Sequence, residues 1–273
     1  MGRWQNWLWG FGLSLLAACA GAAPDPAPPA AAGDAPDPPS ALTTVAAPTP
    51  AKPAAGQPAG WKAILIAGDN QEPAFDNAVD AMAQKLERFG VASSHITVLK
   101  ASSYGPDGAV RANIRAAFDH LAPGPKDGCF FYMTSHGMAG RGLILRREQL
   151  VMSPQVLASA LDAACGARPT VVIASGCFSG IYATSPQLAR PNRVILTAAR
   201  PDRPSFGCNA SLRYTVFDRC VLDNLVNGIA WDAVMDHTRA CVSGNEFDMH
   251  VKAPSEPQIA VGAAEGKLLT FAR

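Results

Sequence analysis

Two short segments of the chain carry residues that together could act as a nucleophile and a general base. His136 lies in Ser135-His136-Gly137, and Cys177 lies in Ser175-Gly176-Cys177. The thiolate is the reactive form of cysteine, and a nearby imidazole favours that form and later donates a proton to a leaving amine. Glycines beside both residues leave backbone N–H groups accessible, and the N–H groups of Gly137 and Cys177 are the expected oxyanion donors. These residue types indicate acyl transfer on Cys177 with His136 as general acid and base.

Continuous apolar runs precede both segments and predict the strands that would position them. Cys129–Thr134 leads to His136, and Thr170–Ala174 leads to Cys177. Such runs alternate with helix-period segments and show no apolar–polar alternation, which is typical of a parallel sheet covered on both faces. Functional residues gather at the carboxyl ends of the strands in such a sheet, and neighbouring strands lie about 4.8 Å apart. The predicted fold class is α/β, with a mostly parallel sheet flanked by helices.

The same patterns predict the other elements. We expect further strands at 63–67, 95–99, 194–198 and 258–261, and a short hairpin arm at 142–145. We expect helices at 76–89, from an Asp107 N-cap to 121, from a Ser153 N-cap with Pro154 at N1, at 214–226 and at 229–241. Asp69 and Asn70 follow the first strand, where they would orient His136, line the cleft or cap a helix.

Longer blocks around the two segments resemble legumain-type cysteine peptidases, which belong to the same clan as the caspases. The blocks are FFYMTSHG at 130–137 and VVIASGCFSG at 171–180, and their separation along the chain also matches that family. VILTAARPDRPSFGC at 194–208 resembles the stretch that lines the specificity pocket, and PSEPQ at 254–258 and FDNA at 75–78 resemble a small bacterial branch. The resemblance covers nearly all of residues 61–262. It implies a caspase–hemoglobinase-like α/β sandwich and a cysteine-type endopeptidase.

The resemblance also implies roles for individual residues. It makes Cys177 the nucleophile and His136 the general acid and base, with Gly137 in the oxyanion hole. It places Ser205 on the wall of the S1 pocket, which holds the P1 residue of the substrate. No metal or organic cofactor is implied, because a thiol and an imidazole supply both the nucleophile and the acid.

The chain departs from the family pattern in the specificity pocket. Ser175 stands two positions before the nucleophile, where legumains carry an acidic residue, so asparagine specificity does not follow from the resemblance. The acidic position after the third block aligns with either Asp218 or Arg219. Asp76 or Asp218 would favour a basic P1 residue.

The N-terminal segment reads as a secretory signal with a bacterial lipobox. Arg3 gives a positive start, an apolar stretch at 8–18 is too short to span a bilayer, and Leu16-Ala17-Ala18 leads to Cys19. By resemblance to lipoproteins, Cys19 would be lipidated as the mature N-terminus, and Ala20 fits outer-membrane sorting in Gram-negative bacteria. An ordinary signal peptide cleaved near Ala23 is the alternative. We therefore expect a protein of the bacterial cell envelope, lipid-anchored in the outer membrane and facing the periplasm.

The composition divides the chain into three parts. Residues 1–18 are the predicted signal peptide, and 19–59 form an Ala/Pro-rich tether that holds nearly half of the 23 prolines and lacks the apolar periodicity needed to fold. Residues 60–273 form the predicted peptidase domain. The formal net charge of +1 without a basic cluster argues against nucleic acid as a partner. A polypeptide substrate and a membrane, reached through Cys19, are the expected partners.

The seven cysteines include no C-x-x-C pair, so a structural zinc site is not expected. We expect positions 129, 165, 208, 220 and 241 to be core thiols, with a disulfide among the last three left open. Two other functions remain open: a transpeptidase on the same acyl-enzyme and a non-catalytic binding module on the same fold. An α/β-hydrolase esterase is disfavoured, because it would need its histidine after the nucleophile.

Overall fold

The computed structural model describes residues 57–208 and 211–271. The predicted signal peptide, Cys19 and most of the predicted tether lie outside this range. Nine strands are described: β1 Gly60–Ala67, β2 Ile96–Lys100, β3 Asp127–Thr134, β4 Gly137–Met138, β5 Gly142–Leu145, β6 Leu150–Met152, β7 Thr170–Ser175, β8 Arg193–Thr197 and β9 Gln258–Val261. Six α-helices are described: α1 Pro73–Arg88, α2 Arg111–Asp119, α3 Pro154–Cys165, α4 Gly180–Thr184, α5 Val216–Asn224 and α6 Trp231–Asp248.

The main sheet has the strand order β2-β1-β3-β7-β8-β9. Its first five strands are parallel, and β9 pairs with β8 in the antiparallel direction. The strands are buried along almost their whole length in β1, β3, β7 and β8, as their unbroken apolar runs predict. The α/β class and the mostly parallel sheet are therefore confirmed.

Two apolar layers cover the faces of this sheet. One layer contains Phe130 and Tyr132 of β3 with the buried faces of α1, α5 and α6. The other contains Phe131 and Met133 of β3 with the buried faces of α2 and α3. Consecutive residues of one strand thus point to opposite layers, and burial on both sides fixes the register of β3 against its neighbours.

A small antiparallel sheet of β4, β5 and β6 lies beyond the end of β3. It contains the predicted hairpin arm as β5, whereas the two-residue β4 and the three-residue β6 were not predicted. The predicted Ser153 cap of α3 is confirmed, since Ser153 accepts a hydrogen bond from Val156 N at 3.3 Å. The predicted Asp107 cap of α2 is wrong: Asp107 lies in a preceding 3-10 turn, and Val110 is the N-cap without a side-chain hydrogen bond.

Two disulfides between described residues connect helices to other elements. Cys129 at the start of β3 pairs with Cys165 at the end of α3, and Cys220 of α5 pairs with Cys241 of α6. The expectation that Cys129 and Cys165 are core thiols is therefore wrong, since that pair joins positions 36 residues apart on different elements. Within the described ranges, no helix is long and apolar enough to cross a membrane.

Candidate active site

The two predicted catalytic segments meet at one edge of the sheet. β3 and β7 are parallel neighbours, with Thr134 opposite Ser175, and Ser135 N continues the ladder by donating to Ser175 O at 3.1 Å. Beyond the ladder the two segments stay in contact, because a Cβ atom at Gly137 would lie 3.0 Å from Cys177 N and one at Gly176 would lie 2.4 Å from Ser135 O. The segments that carry His136 and Cys177 therefore lie side by side at one edge of the sheet, and the catalytic roles of the two residues stay predictions.

Glycine is required where the segments touch. A Cβ atom at Gly137 would lie 1.8 Å from Cys177 O and 3.0 Å from Cys177 N. A Cβ atom at Gly176 would lie 2.4 Å from Ser135 O. Both obstacles are backbone atoms, so neither glycine tolerates a side chain unless the segments separate.

The turn after Cys177 is formed by Phe178, not by glycine. Phe178 has a φ of 60°, in the left-handed region that few non-glycine residues adopt. Its N–H donates to Arg203 O at 2.8 Å, which holds the turn against the loop after β8. Gly180, which follows this turn, serves close packing, because a Cβ atom there would lie 2.5 Å from Pro201 N.

The Cys177 thiol is free and almost fully buried, with 8% of the residue exposed. Several atoms of Ser205 contact the sulfur. Ser205 N donates to Cys177 Sγ at 3.3 Å, and Ser205 Oγ lies 3.8 Å from the same atom. The thiol in turn can donate to Ser205 O at 3.5 Å. The predicted pocket-wall residue therefore lies directly against the predicted nucleophile.

His136 is half-buried, and its ring meets the edge of Phe75 at a centroid distance of 5.2 Å. Burial lowers the pKa of His136 from its usual value, while Asp69 raises this pKa and Arg146 lowers it. The neutral imidazole is therefore the form favoured near neutral pH. In that form one ring nitrogen is able to accept a proton from a thiol.

Asp218 lies completely buried beneath the two strand ends. Its carboxylate accepts hydrogen bonds from Tyr132 Oη at 2.7 Å, Thr134 Oγ1 at 2.6 Å and Thr215 Oγ1 at 2.8 Å. Burial raises the pKa of Asp218, whereas hydrogen bonds from these hydroxyls and from Ser175 lower it. Asp218 thus joins the ends of β3 and β7 to the start of α5.

The four residues predicted to bind substrate occupy different positions. Ser205 contacts the sulfur, and Ser175 ends β7 two residues before it. Asp218 is linked to the cleft through Ser175 and is itself not exposed. Asp76, in the first turn of α1, accepts a hydrogen bond from Ser102, which follows the edge strand β2 three strand positions from β7. A P1 preference based on Asp76 or Asp218 stays a prediction.

Arg146 is a residue of this region that the sequence did not reveal. It follows β5, and its Nε lies 3.1 Å from Asp69 Oδ2. Asp69 N-caps no helix, because Glu72 is the N-cap of α1. No motif links positions 69 and 146, and only the folding of β5 onto the end of β1 brings them together. Among the described residues, no group of three or more His, Cys, Asp or Glu side chains is placed to hold a metal ion.

Comparison with known proteins gives a family and a fold. The model of the peptidase C13 family matches residues 105–248 of the chain. Caspase-1 from Spodoptera frugiperda has a similar structure, with a TM-score of 0.57 and 13% identity over 83% of this chain and 97% of that chain. At this identity the likeness shows the fold alone. No curated protein matches the chain.

Proposed function

The chain belongs to the peptidase C13 family, and we propose that it is a membrane-anchored cysteine endopeptidase whose acyl-enzyme forms on Cys177. His136 is the general acid and base in this proposal, and the substrate is a polypeptide. The observation that carries it is the backbone contact between Gly137 and Cys177, because that contact supports a proposed base and a proposed nucleophile on adjoining segments.

The backbone geometry of Gly137 supports its proposed role as an oxyanion donor. It pairs with Leu143 of β5, and Ile144 N donates to His136 O at 2.8 Å. In an antiparallel ladder, this bond between the flanking residues makes Gly137 and Leu143 a non-hydrogen-bonded pair, whose own N–H groups point away from each other. The Gly137 N–H therefore points away from β5, and the Leu143 N–H is bound by Tyr182 Oη at 2.9 Å.

The proposed reaction proceeds in two steps. His136 takes the thiol proton as Cys177 Sγ attacks the carbonyl carbon of the scissile bond, and the N–H groups of Gly137 and Cys177 stabilise the charge on the carbonyl oxygen. The intermediate collapses as the imidazolium gives its proton to the leaving amine. A water molecule that loses a proton to His136 then attacks the thioester, and the acid product leaves as the thiol is restored.

Covalent labelling tests the dyad directly. We expect a peptide electrophile to modify the full chain at Cys177, as located by mass spectrometry, and His136→Ala to slow this labelling at least 100-fold, within the range of general base catalysis. His120→Ala, at the exposed C-terminal end of α2, is the matched control and should label at the native rate. Equal labelling of His136→Ala and the native protein would refute the dyad.

Hydrolysis and transpeptidation differ only in what attacks the acyl-enzyme. Hydrolysis predicts that the acid product dominates when a peptide substrate is turned over without an added amine. A product joined to an added amine, in preference to the acid, would instead support the transpeptidase. The ratio of the two products, measured by mass spectrometry at increasing amine concentration, decides between them.

The anchor is the second part of the proposal. Support comes from Leu16-Ala17-Ala18-Cys19, and from the pairs Cys129–Cys165 and Cys220–Cys241, since disulfides persist in oxidising compartments such as the periplasm. The Ala/Pro-rich stretch after Cys19 would reach roughly 120 Å if extended as polyproline II. Such a tether would hold the peptidase domain clear of the lipid headgroups.

Fractionation of a Gram-negative host tests the anchor and its sorting. We expect Cys19→Ser to move the protein out of the membrane fraction. The Ala20→Asp variant, which keeps Cys19, should remain in the inner membrane instead of reaching the outer membrane. Ala22→Ser, a small change beyond the sorting position, is the control and should leave the distribution unaltered. Unchanged membrane partitioning of Cys19→Ser would exclude lipidation as the anchor.

A further inference from the structure

We propose that Asp69 and Arg146 form a positioning pair that sets the charge state of His136 and couples it to the β4–β6 sheet. This inference rests on the proposed function, because it concerns the same imidazole. Neither residue contacts the Cys177 sulfur, and neither belongs to the proposed His136–Cys177 dyad. Their role is to place two opposite charges beside one ring.

Asp69 reaches His136 through the register of the sheet. Ala67 of β1 lies opposite Thr134 of β3, and Gly68 N donates to Thr134 O at 3.0 Å. A Cβ atom at Gly68 would lie 2.9 Å from Ser135 Oγ, so the residue before Asp69 packs against the residue before His136, and the Asp69 charge acts on the His136 ring. Asp69 is completely buried, and its Oδ1 accepts a hydrogen bond from Gln71 N at 2.9 Å, so the carboxylate has a fixed orientation.

Arg146 is held over this carboxylate by its own backbone. Arg146 N donates to Gly68 O at 2.8 Å, and Ile144 N donates to His136 O at the same distance. Two backbone bonds thus fasten β5 to the residues that precede Asp69 and to His136 itself. The Arg146 side chain, 36% exposed, then places Nε 3.1 Å from Asp69 Oδ2, whose side chain is fully buried.

Three charged groups act on His136, and they come from three parts of the fold. Asp69 follows β1, Glu72 precedes α1 and Arg146 follows β5, while α1 contributes the uncharged ring of Phe75. The uncharged Cys177 thiol lies on the adjoining segment after β7. The two carboxylates raise the pKa of His136 and Arg146 lowers it, against a larger lowering by burial. Arg146 therefore offsets Asp69, and an unpaired Asp69 would favour the imidazolium, which cannot take the thiol proton.

Direct titration of the His136 ring tests this balance. We would record the ring resonance by NMR as a function of pH in the Cys177→Ala protein, which removes coupling to the thiol, and assign it by its loss in His136→Gln. We expect Asp69→Asn to lower the titration midpoint and Arg146→Gln to raise it, each by about one pH unit. The double variant should titrate between the two single variants.

The opposite signs separate an electrostatic role from a structural one. Loss of local structure would expose the ring and move both midpoints in the same direction, toward that of a solvated histidine. Asp80→Asn, in an ion pair between α1 and Lys100 of β2, and Arg147→Gln, stacked on Tyr104 at 4.5 Å, are charge-matched controls that should leave the midpoint unchanged.

Two outcomes would overturn the pair: equal midpoints in all variants, or shifts of the same sign. Arg146→Gln leaves a buried carboxylate unpaired, and if this variant does not fold, Asp69→Asn compared with the double variant still isolates the effect of Arg146. The double variant should have a higher titration midpoint than Asp69→Asn alone. Because the titration uses Cys177→Ala protein, it does not depend on turnover, and failure of the dyad in labelling experiments leaves it separately interpretable.

Discussion

Gly137→Ala is the substitution whose consequence the structure fixes most closely. A Cβ atom at this position would lie 1.8 Å from Cys177 O, whereas ordinary van der Waals contact begins at 3.4 Å. The obstacle is the backbone of the nucleophile itself, so no rotamer relieves the clash. The two catalytic segments must therefore move apart by about 1.6 Å, the difference between the two distances.

That displacement converts into two measurable effects. A misplacement of about 1 Å at a reacting group costs on the order of 100-fold in rate, so we expect Gly137→Ala to lose at least about 100-fold in kcat/KM and in the rate of Cys177 labelling. Overpacking of this kind also costs about 1–3 kcal/mol in the free energy of unfolding. The protein should remain folded in urea titrations while it loses most of its activity.

The control is Gly244→Ala in α6, where a Cβ atom would meet nothing within 4 Å. Alanine is favoured over glycine inside a helix by about 1 kcal/mol, so this variant should be slightly more stable and fully active. If Gly137→Ala retained activity within a few-fold of native protein, the two segments would not meet as described, and the proposed oxyanion donor would lose its support.

Three further outcomes follow from the geometry. The rate of Cys177 labelling should hold as pH falls through 6.5 and drop only below it, because burial lowers the pKa of His136 from that value and only the neutral ring accepts the thiol proton; a midpoint above 6.5 in a pH–rate profile would contradict this. Asp218→Ala should lower the free energy of unfolding by about 3 kcal/mol in urea titrations, because several buried hydroxyls lose their acceptor; an unchanged midpoint would show that water replaces the carboxylate. Replacing both Cys220 and Cys241 with alanine should lower the free energy of unfolding by about 3 kcal/mol, as expected for a crosslink spanning 21 residues. Cys177 labelling should be unaffected. Calorimetry measures the stability, and the labelling assay measures the reactivity of the thiol.

The sequence predicted the sheet because each central strand is a continuous apolar run. Ala63–Ala67, Cys129–Thr134 and Thr170–Ala174 lie within the observed β1, β3 and β7, each within a few residues of the observed ends. Burial on both faces is a property of the strand itself and needs no partner to be recognised. The placement of His136 and Cys177 at adjacent strand ends followed from the same reasoning.

What the sequence did not reveal depends on contacts between distant segments. Arg146 meets Asp69 only because β5 folds back over the end of β1. The disulfide of Cys129 with Cys165 likewise joins a strand to a helix, although the two cysteines are 36 residues apart in the sequence. Asp107 has a residue type that is favoured at N-caps, but it lies in a 3-10 turn before α2. Short 3-10 turns are common as connectors, and here the turn delays the start of the helix.

The core of the protein, more than any polar contact, determines whether the two reacting groups meet. A slip of one residue between β3 and β7 would set Ser135 or Gly137 beside Cys177. It would also turn every side chain of the strand to the opposite face of the sheet. Such a slip would move Tyr132 away from Asp218 and transfer Phe131 into the layer of α1 and α5. Each apolar side chain that packs on its own face therefore opposes the slip, and the positions of the residues at the strand ends depend on this packing.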